Sequence, residues 1–192
     1  MTVLGSHNSW SYLPPKQWWL RPFAFIAKCQ NVDIKTQYEK YGVRCFDLRI
    51  KFDGGTYIAH GFCKYRYTKE QLTDDLLWLN DKKDCYVRVL HEIRRKREYN
   101  EEENLQFRVY CHFLEANFKN IKFWCGRNLY NWEYDWYFDT EEPSCHENYA
   151  SVSKYKYLIG WWPWLYAKLC NKEIRNSTYK EDILLVDFIN IK

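Results

Sequence analysis

The chain has 192 residues, a length that suggests one domain with enough material for a sizeable core. Its formal net charge of +4 is no strong nucleic-acid signature, and no apolar run is long enough to span a bilayer. Aromatic residues make up 20% of the chain, with 10 Trp and 17 Tyr, more than a plain core needs, so some are expected at half-buried rims.

In chain order, residues 2–5 read as a short apolar strand leading into Gly5-Ser6-His7-Asn8-Ser9. Residues 10–28 carry Trp10, Trp18, Trp19, Phe23, Phe25 and Ile26, broken by Pro14, Pro15 and Pro22. Residues 31–41 read as a helix, with Asp33 as a cap and Ile34, Tyr38 and Tyr41 at helical spacing. Residues 43–50 follow as a strand, and residues 52–56 as a tight turn into a second strand that ends at His60. A helix is predicted over 68–80, with Leu72, Leu76 and Leu79 on one face, then a strand over 84–90 and a helix over 101–118. The acidic first turn of that last helix suits its dipole. Residues 119–165 show no clean period, 164–171 suggest a short helix, and 182–190 a final buried strand. There is no repeat or linker, so 1–192 is read as a single domain.

The eight cysteines, Cys29, Cys45, Cys63, Cys85, Cys111, Cys125, Cys145 and Cys170, are scattered without a C-x-x-C pair, which argues against zinc. Their spread fits a reducing compartment slightly better than a disulfide framework. No secretory leader precedes His7, and the compartment stays open between cytoplasmic and secreted with a leader removed. The run Arg94-Arg95-Lys96-Arg97 is read as a solvated loop or helix end, and Asn176-Ser177-Thr178 as a chance sequon.

Strands alternating with helices imply a mostly parallel sheet in an α/β fold. In closed barrels of this kind the site forms at the C-terminal ends of the strands. His7, Asp47, Arg49, His60, His91 or Glu92, and Asp187 all fall at or near such ends. A full eight-unit barrel takes about 250 residues. A compact (β/α)8 barrel, incomplete or short of some helices, is therefore expected. Asp47 and Arg49 share one face of their strand because side chains alternate. They could be a structural ion pair, but with His7 and His60 ordered around them catalysis is the favoured reading. One histidine can take a proton, the other can give one, and an arginine can hold a phosphate. His112 and His146 have no supporting motif and are assigned no role.

These segments resemble the catalytic X domain of phosphatidylinositol-specific phospholipase C. The resemblance runs through residues 5–9, Gln37 with Tyr41-Gly42-Val43-Arg44-Cys45-Phe46-Asp47-Leu48-Arg49-Ile50, and His60-Gly61. It extends more loosely to 84–92 and 183–188. It implies a distorted barrel and attack of the inositol 2-hydroxyl on phosphorus, with diacylglycerol leaving. His7 would be the base, His60 the acid, Arg49 the charge clamp, and Asp187 the carboxylate that orients His7. Arg49 stands where calcium-dependent relatives carry a second acidic ligand, so the resemblance is to the metal-independent branch, with no cofactor. A calcium site of Asn8, Asp47 and Glu92 is the minority reading. Asn8 departs from the aspartate of the bacterial enzymes. It can hydrogen-bond His60 but lacks charge, so either the acid step is expected to be weaker or a carboxylate such as Asp47 to take part. Either His91 or Glu92 is expected to face the substrate, and Arg88 to line the pocket or form an internal ion pair.

Trp18, Trp19 and Phe23 are candidates for membrane contact, though they would equally serve to cap the barrel as core, and Trp161-Trp162-Pro163-Trp164 is a second rim with the same ambiguity. The expected partners are an inositol phospholipid and a membrane surface, with no nucleic acid and a monomeric state. The rivals are a glycerophosphodiester phosphodiesterase, whose metal pair Phe46-Asp47-Leu48-Arg49 does not supply, and a lipid-binding module of the same fold that has lost the reaction.

Overall fold

The computed structural model describes residues 3–92, 100–128, 134–136, 145–147, 161–176 and 183–191. The run at 94–97, most of 129–160 and most of the sequon lie outside them.

β1 (Val3–Ser6), β2 (Cys45–Phe52), β5 (Tyr86–His91), β6 (Lys122–Asn128), β8 (Cys145–Glu147) and β9 (Ile183–Val186) form the parallel part of one sheet. Its order is β7-β6-β5-β2-β1-β9-β8, where β7 (Tyr134–Trp136) is antiparallel to β6. β3 (Thr56–His60) and β4 (Cys63–Lys64) fold back antiparallel from β2 as a hairpin. Among the described residues β7 and β8 do not pair, so the fold is an α/β partial barrel and not a closed one.

The helices follow from local chemistry. α1 (Ile34–Tyr41) starts where Asp33 accepts the Thr36 N–H, and stops at Gly42, whose φ of 72° is open to glycine at little cost. α2 (Lys69–Lys82) opens on a capping box between Thr68 and Gln71. α3 (Glu101–Asn117) is capped by Asn100 and carries Glu101, Glu102 and Glu103 in its first turn. α4 (Pro163–Asn176) is longer than the helix expected at 164–171. Residues 18–26 form a 3-10 helix that contains Pro22 and buries none of its side chains. The last strand is shorter than its apolar run: it ends at Val186, and Phe188 turns the chain with a φ of 44°.

Strand alternation divides the core. Phe46, Leu48, Ile50, Val87 and Val89 point outward and pack with Leu76 and Leu79 of α2 and Phe107, Cys111 and Leu114 of α3. Cys45, Ile183, Leu185 and Trp124 point inward and plug one end of the barrel, where Tyr86 and Trp124 stack 5.1 Å apart. Gly5 pairs with Cys45 on one side and Leu185 on the other. A β-carbon there would lie 2.5 Å from Leu185 Cδ2 and 3.1 Å from the Cys45 β-carbon. Gly5→Ala is therefore expected to destabilise the fold by about 1–3 kcal/mol, read from the urea midpoint. An unchanged midpoint would show that the plug can yield. Cys29, Cys45, Cys63, Cys85, Cys111, Cys125 and Cys170 are all buried free thiols.

Candidate active site

Above the apolar plug the same inward positions turn polar. In the register of β2 and β5, Asp47 lies beside Arg88. Asp47 is fully buried, and three donors reach its carboxylate: the Asn8 N–H (2.9 Å) and Arg49 Nε (2.9 Å) at Oδ2, and Arg88 Nε (3.0 Å) at Oδ1. Burial opposes its ionisation, but the Arg49 and Arg88 guanidiniums outweigh this and hold the carboxyl well below the usual carboxylate range.

His7 follows β1 and is held from both ends of its ring. Nδ1 lies 2.8 Å from Asp187 Oδ1, and Arg49 Nη2 lies 2.7 Å from Nε2. A guanidinium can only donate, so Nε2 carries the lone pair and Nδ1 carries the proton, donated to Asp187. The loop is pinned by Gln30, whose Nε2 donates to the His7 and Val186 carbonyls and whose Oε1 accepts the Ile189 N–H. Gln37 of α1 donates to the Ser9 carbonyl, and Ser9 Oγ accepts the Asp47 N–H.

His60 ends β3 and meets His7 edge to face, with ring centroids 5.7 Å apart. Its Nδ1 donates to the Ala27 carbonyl at 2.8 Å, which leaves Nε2 as the nitrogen available for chemistry. The Tyr65 hydroxyl donates to the same carbonyl at 2.7 Å. Burial and the Arg49 charge lower the His60 pKa, while the Glu92 carboxylate acts in the opposite direction. Glu92 links both halves of the site: Oε1 accepts the Gly61 N–H at 2.8 Å and Oε2 lies 3.4 Å from Arg49 Nη1. Among the described residues two guanidiniums thus face three carboxylates, Asp47, Glu92 and Asp187.

The structure brings together His7, Asn8, Asp47, Arg49, His60, Arg88, Glu92 and Asp187. His91 is corrected. It points outward by strand alternation, stacks on Phe107 with centroids 5.0 Å apart and meets Phe52 edge on, so its neighbour Glu92 is the inward one. The hydrogen bond from Asn8 to His60 is also corrected. The buried Asn8 carboxamide makes no hydrogen bond among the described residues, and its contribution is its backbone N–H on Asp47. Nor does Asp47 stand in beside His60. It lies 3.8 Å from His7 Nε2, and Glu92 is the carboxylate that favours protonated His60.

The Ala27 carbonyl escapes sequence reasoning because a main-chain acceptor leaves no mark in residue type. Cys29, whose Sγ is 3.7 Å from His60 Nδ1, reads in the sequence as one scattered cysteine among eight. Trp18, Trp19 and Phe23 are 71%, 58% and 55% exposed, which excludes the core reading for them. Phe25 packs on Trp162 with centroids 5.4 Å apart, so the two aromatic segments make one rim. Phe62 is exposed too, and Gln17 donates to its carbonyl.

No family model and no curated protein matches the chain. Solved structures do. The phosphatidylinositol-specific phospholipase C from Listeria monocytogenes aligns with a TM-score of 0.64 at 17% identity, over 98% of this chain and 88% of that one. A double mutant of the Staphylococcus aureus enzyme gives 0.59 at 15% identity, over 97% and 84%. Another mutant of it gives 0.59 at 14%, over 97% and 85%. The chain has the fold of the bacterial phosphatidylinositol-specific phospholipases C.

Proposed function

We propose that the protein is a metal-independent phosphodiesterase that cleaves phosphatidylinositol-type lipids at a membrane surface. The observation that carries this is the Asp187–His7–Arg49 chain, which fixes a histidine tautomer with its lone pair beside a cationic phosphate ligand. In the resting site Arg49 Nη2 occupies that lone pair. An anionic phosphodiester draws the guanidinium onto its oxygens and frees Nε2.

His7 Nε2 then takes the proton of the inositol 2-hydroxyl as that oxygen bonds to phosphorus. The bond from phosphorus to the glycerol oxygen breaks, and His60 Nε2 protonates the departing oxygen. The products are diacylglycerol and a cyclic inositol phosphate. Asp187 stabilises the imidazolium formed on His7. Arg49 and Arg88 hold positive charge near the phosphate, with Asp47 keeping both in place.

Metal independence is part of the proposal. A hard cation wants several free oxygens. The Asp47 carboxylate is already met by three N–H donors, and Glu92 by the Gly61 N–H and Arg49. The exposed aromatic rim suits contact with lipid. A related Staphylococcus aureus structure was determined in work on the membrane binding of that enzyme.

The test is phosphorus NMR of phosphatidylinositol vesicles incubated with the protein in EDTA. A cyclic inositol phosphate signal, undiminished by the chelator, is expected. Complete loss of turnover in EDTA would overturn metal independence. Vesicle binding with no turnover would favour the lipid-binding module, a reading to which the missing side-chain carboxylate partner at Asn8 lends support.

The pH profile follows from His60. The acid must be protonated, and its lowered pKa means it holds that proton only on the acidic side of its ordinary range near 6.5. kcat/KM is expected to fall as pH rises towards neutrality. Glu92→Gln removes the charge that favours the proton and should shift this alkaline limb to lower pH. A limb that stays in place would show that Glu92 does not act on the acid.

A further inference from the structure

We propose that His7, Cys29 and Asp187 form a binding site for a thiophilic divalent cation of the zinc type, and that filling it switches the base histidine off. A ring nitrogen of His7, Cys29 Sγ and an Asp187 oxygen all lie within 4.8 Å of one another, Nδ1 is the ring nitrogen that faces Asp187, and all three residues are buried. Imidazole, thiolate and carboxylate together are a donor set that zinc takes and that calcium and magnesium do not.

The second oxygen of Asp187, Oδ2, is buried and accepts no hydrogen bond among the described residues. The groups are also held in place beforehand. Ser11 Oγ accepts the N–H groups of Cys29 and Gln30, and the Phe188 N–H donates to the Cys29 carbonyl, so one set of main-chain bonds positions both Cys29 and the Asp187 turn. Tetrahedral zinc ligands sit roughly 3.3–3.8 Å apart. The Nδ1 to Oδ1 pair, now at 2.8 Å, would open by about half an ångström to admit the ion.

Binding changes the protonation of the base. The thiol proton of Cys29 goes to solvent as the sulfur–metal bond forms. The Nδ1 proton of His7 moves to Nε2, because Nδ1 must give its lone pair to the metal. Nε2 then carries a proton where it needs a lone pair, and it faces the Arg49 donor that now sits 2.7 Å away. Two positive charges enter with the metal and one leaves with the thiol proton, so the three ligands together pass from one negative charge to none.

Binding is tested without any assay of turnover, by titrating cobalt(II) into the reduced, metal-free protein. One equivalent is expected to bind, with a thiolate-to-cobalt charge-transfer absorption that zinc displaces. The band should vanish in both Cys29→Ser and Cys29→Ala, each checked for folding by circular dichroism. No band in the parent protein, or a band that survives in both variants, overturns the site.

The inhibitory role rests on the phosphodiesterase reading and is tested separately. Zinc should inhibit turnover reversibly to EDTA, and Cys29→Ser should need over tenfold more zinc relative to its own metal-free rate, since even outer-shell changes cost about 10- to 100-fold in affinity. Equal inhibition of both proteins overturns the switch. A cysteine-dependent cobalt band without turnover in EDTA supports the site and counts against the phosphodiesterase reading.

Discussion

His7→Ala is expected to cut the formation of cyclic inositol phosphate by about 10²- to 10⁴-fold, the usual contribution of a positioned acid or base. In the proposed mechanism the lone pair of His7 Nε2 is the base, and Asp47, the carboxylate that lies 3.8 Å from it, is neutralised by two guanidiniums. Asp187→Asn should cost nearly as much without removing the imidazole. An amide nitrogen facing Nδ1 would force the ring proton to Nε2, where it meets Arg49. Both variants would be compared by initial rates on phosphatidylinositol vesicles, with folding checked by circular dichroism. A His7→Ala protein that keeps more than a tenth of the parent rate would rule out His7 as the base.

Asp47→Asn is expected to destabilise the fold by about 3–5 kcal/mol, the usual cost of leaving buried charge without its partner. Arg49 and Arg88 are each about 1% exposed, and both donate through Nε to this one carboxylate. An amide would satisfy one guanidinium and confront the other with its own N–H donors. Urea unfolding measures the loss, and a change under 1 kcal/mol would show that other groups balance the two arginines. The pH dependence has a defined sign. The Asp47 pKa is depressed in the folded state, so its contribution is complete above the unfolded value of about 3.9 and is lost as pH falls through the folded one. The variant should therefore show a shallower decline of stability in acid than the parent protein.

The fold was legible where period and capping agree. Thr68 and Gln71 mark the start of α2, and Leu76 and Leu79 its buried face. Alternation in β2 placed Asp47 and Arg49 on one side. The same rule could not choose between His91 and Glu92, because period two fixes which residues share a face and not which face turns inward. The final strand was read too long because Phe188 and Ile189 are apolar, yet they are buried in a turn and not in the sheet. In the site, most of the side chains that the fold brings together were legible, His7, Asp47, Arg49, His60 and Asp187 among them. Missed were contacts made by main chain or by residues of common type, namely the Ala27 carbonyl at His60, the Gly61 N–H at Glu92 and the Gln30 carboxamide behind His7.

Ala27 does more than complete a hydrogen bond. It is the residue that ends the 3-10 helix of Trp18 to Ile26, with its own N–H on the Ala24 carbonyl. The exposed aromatic segment and the atom that holds His60, the proposed general acid, are thus adjacent links of one short piece of backbone. Ala27 alone separates the last residue of that segment from the hydrogen bond to His60. Loosening this segment would surface as a defect in proton delivery and not merely as weaker adhesion to vesicles.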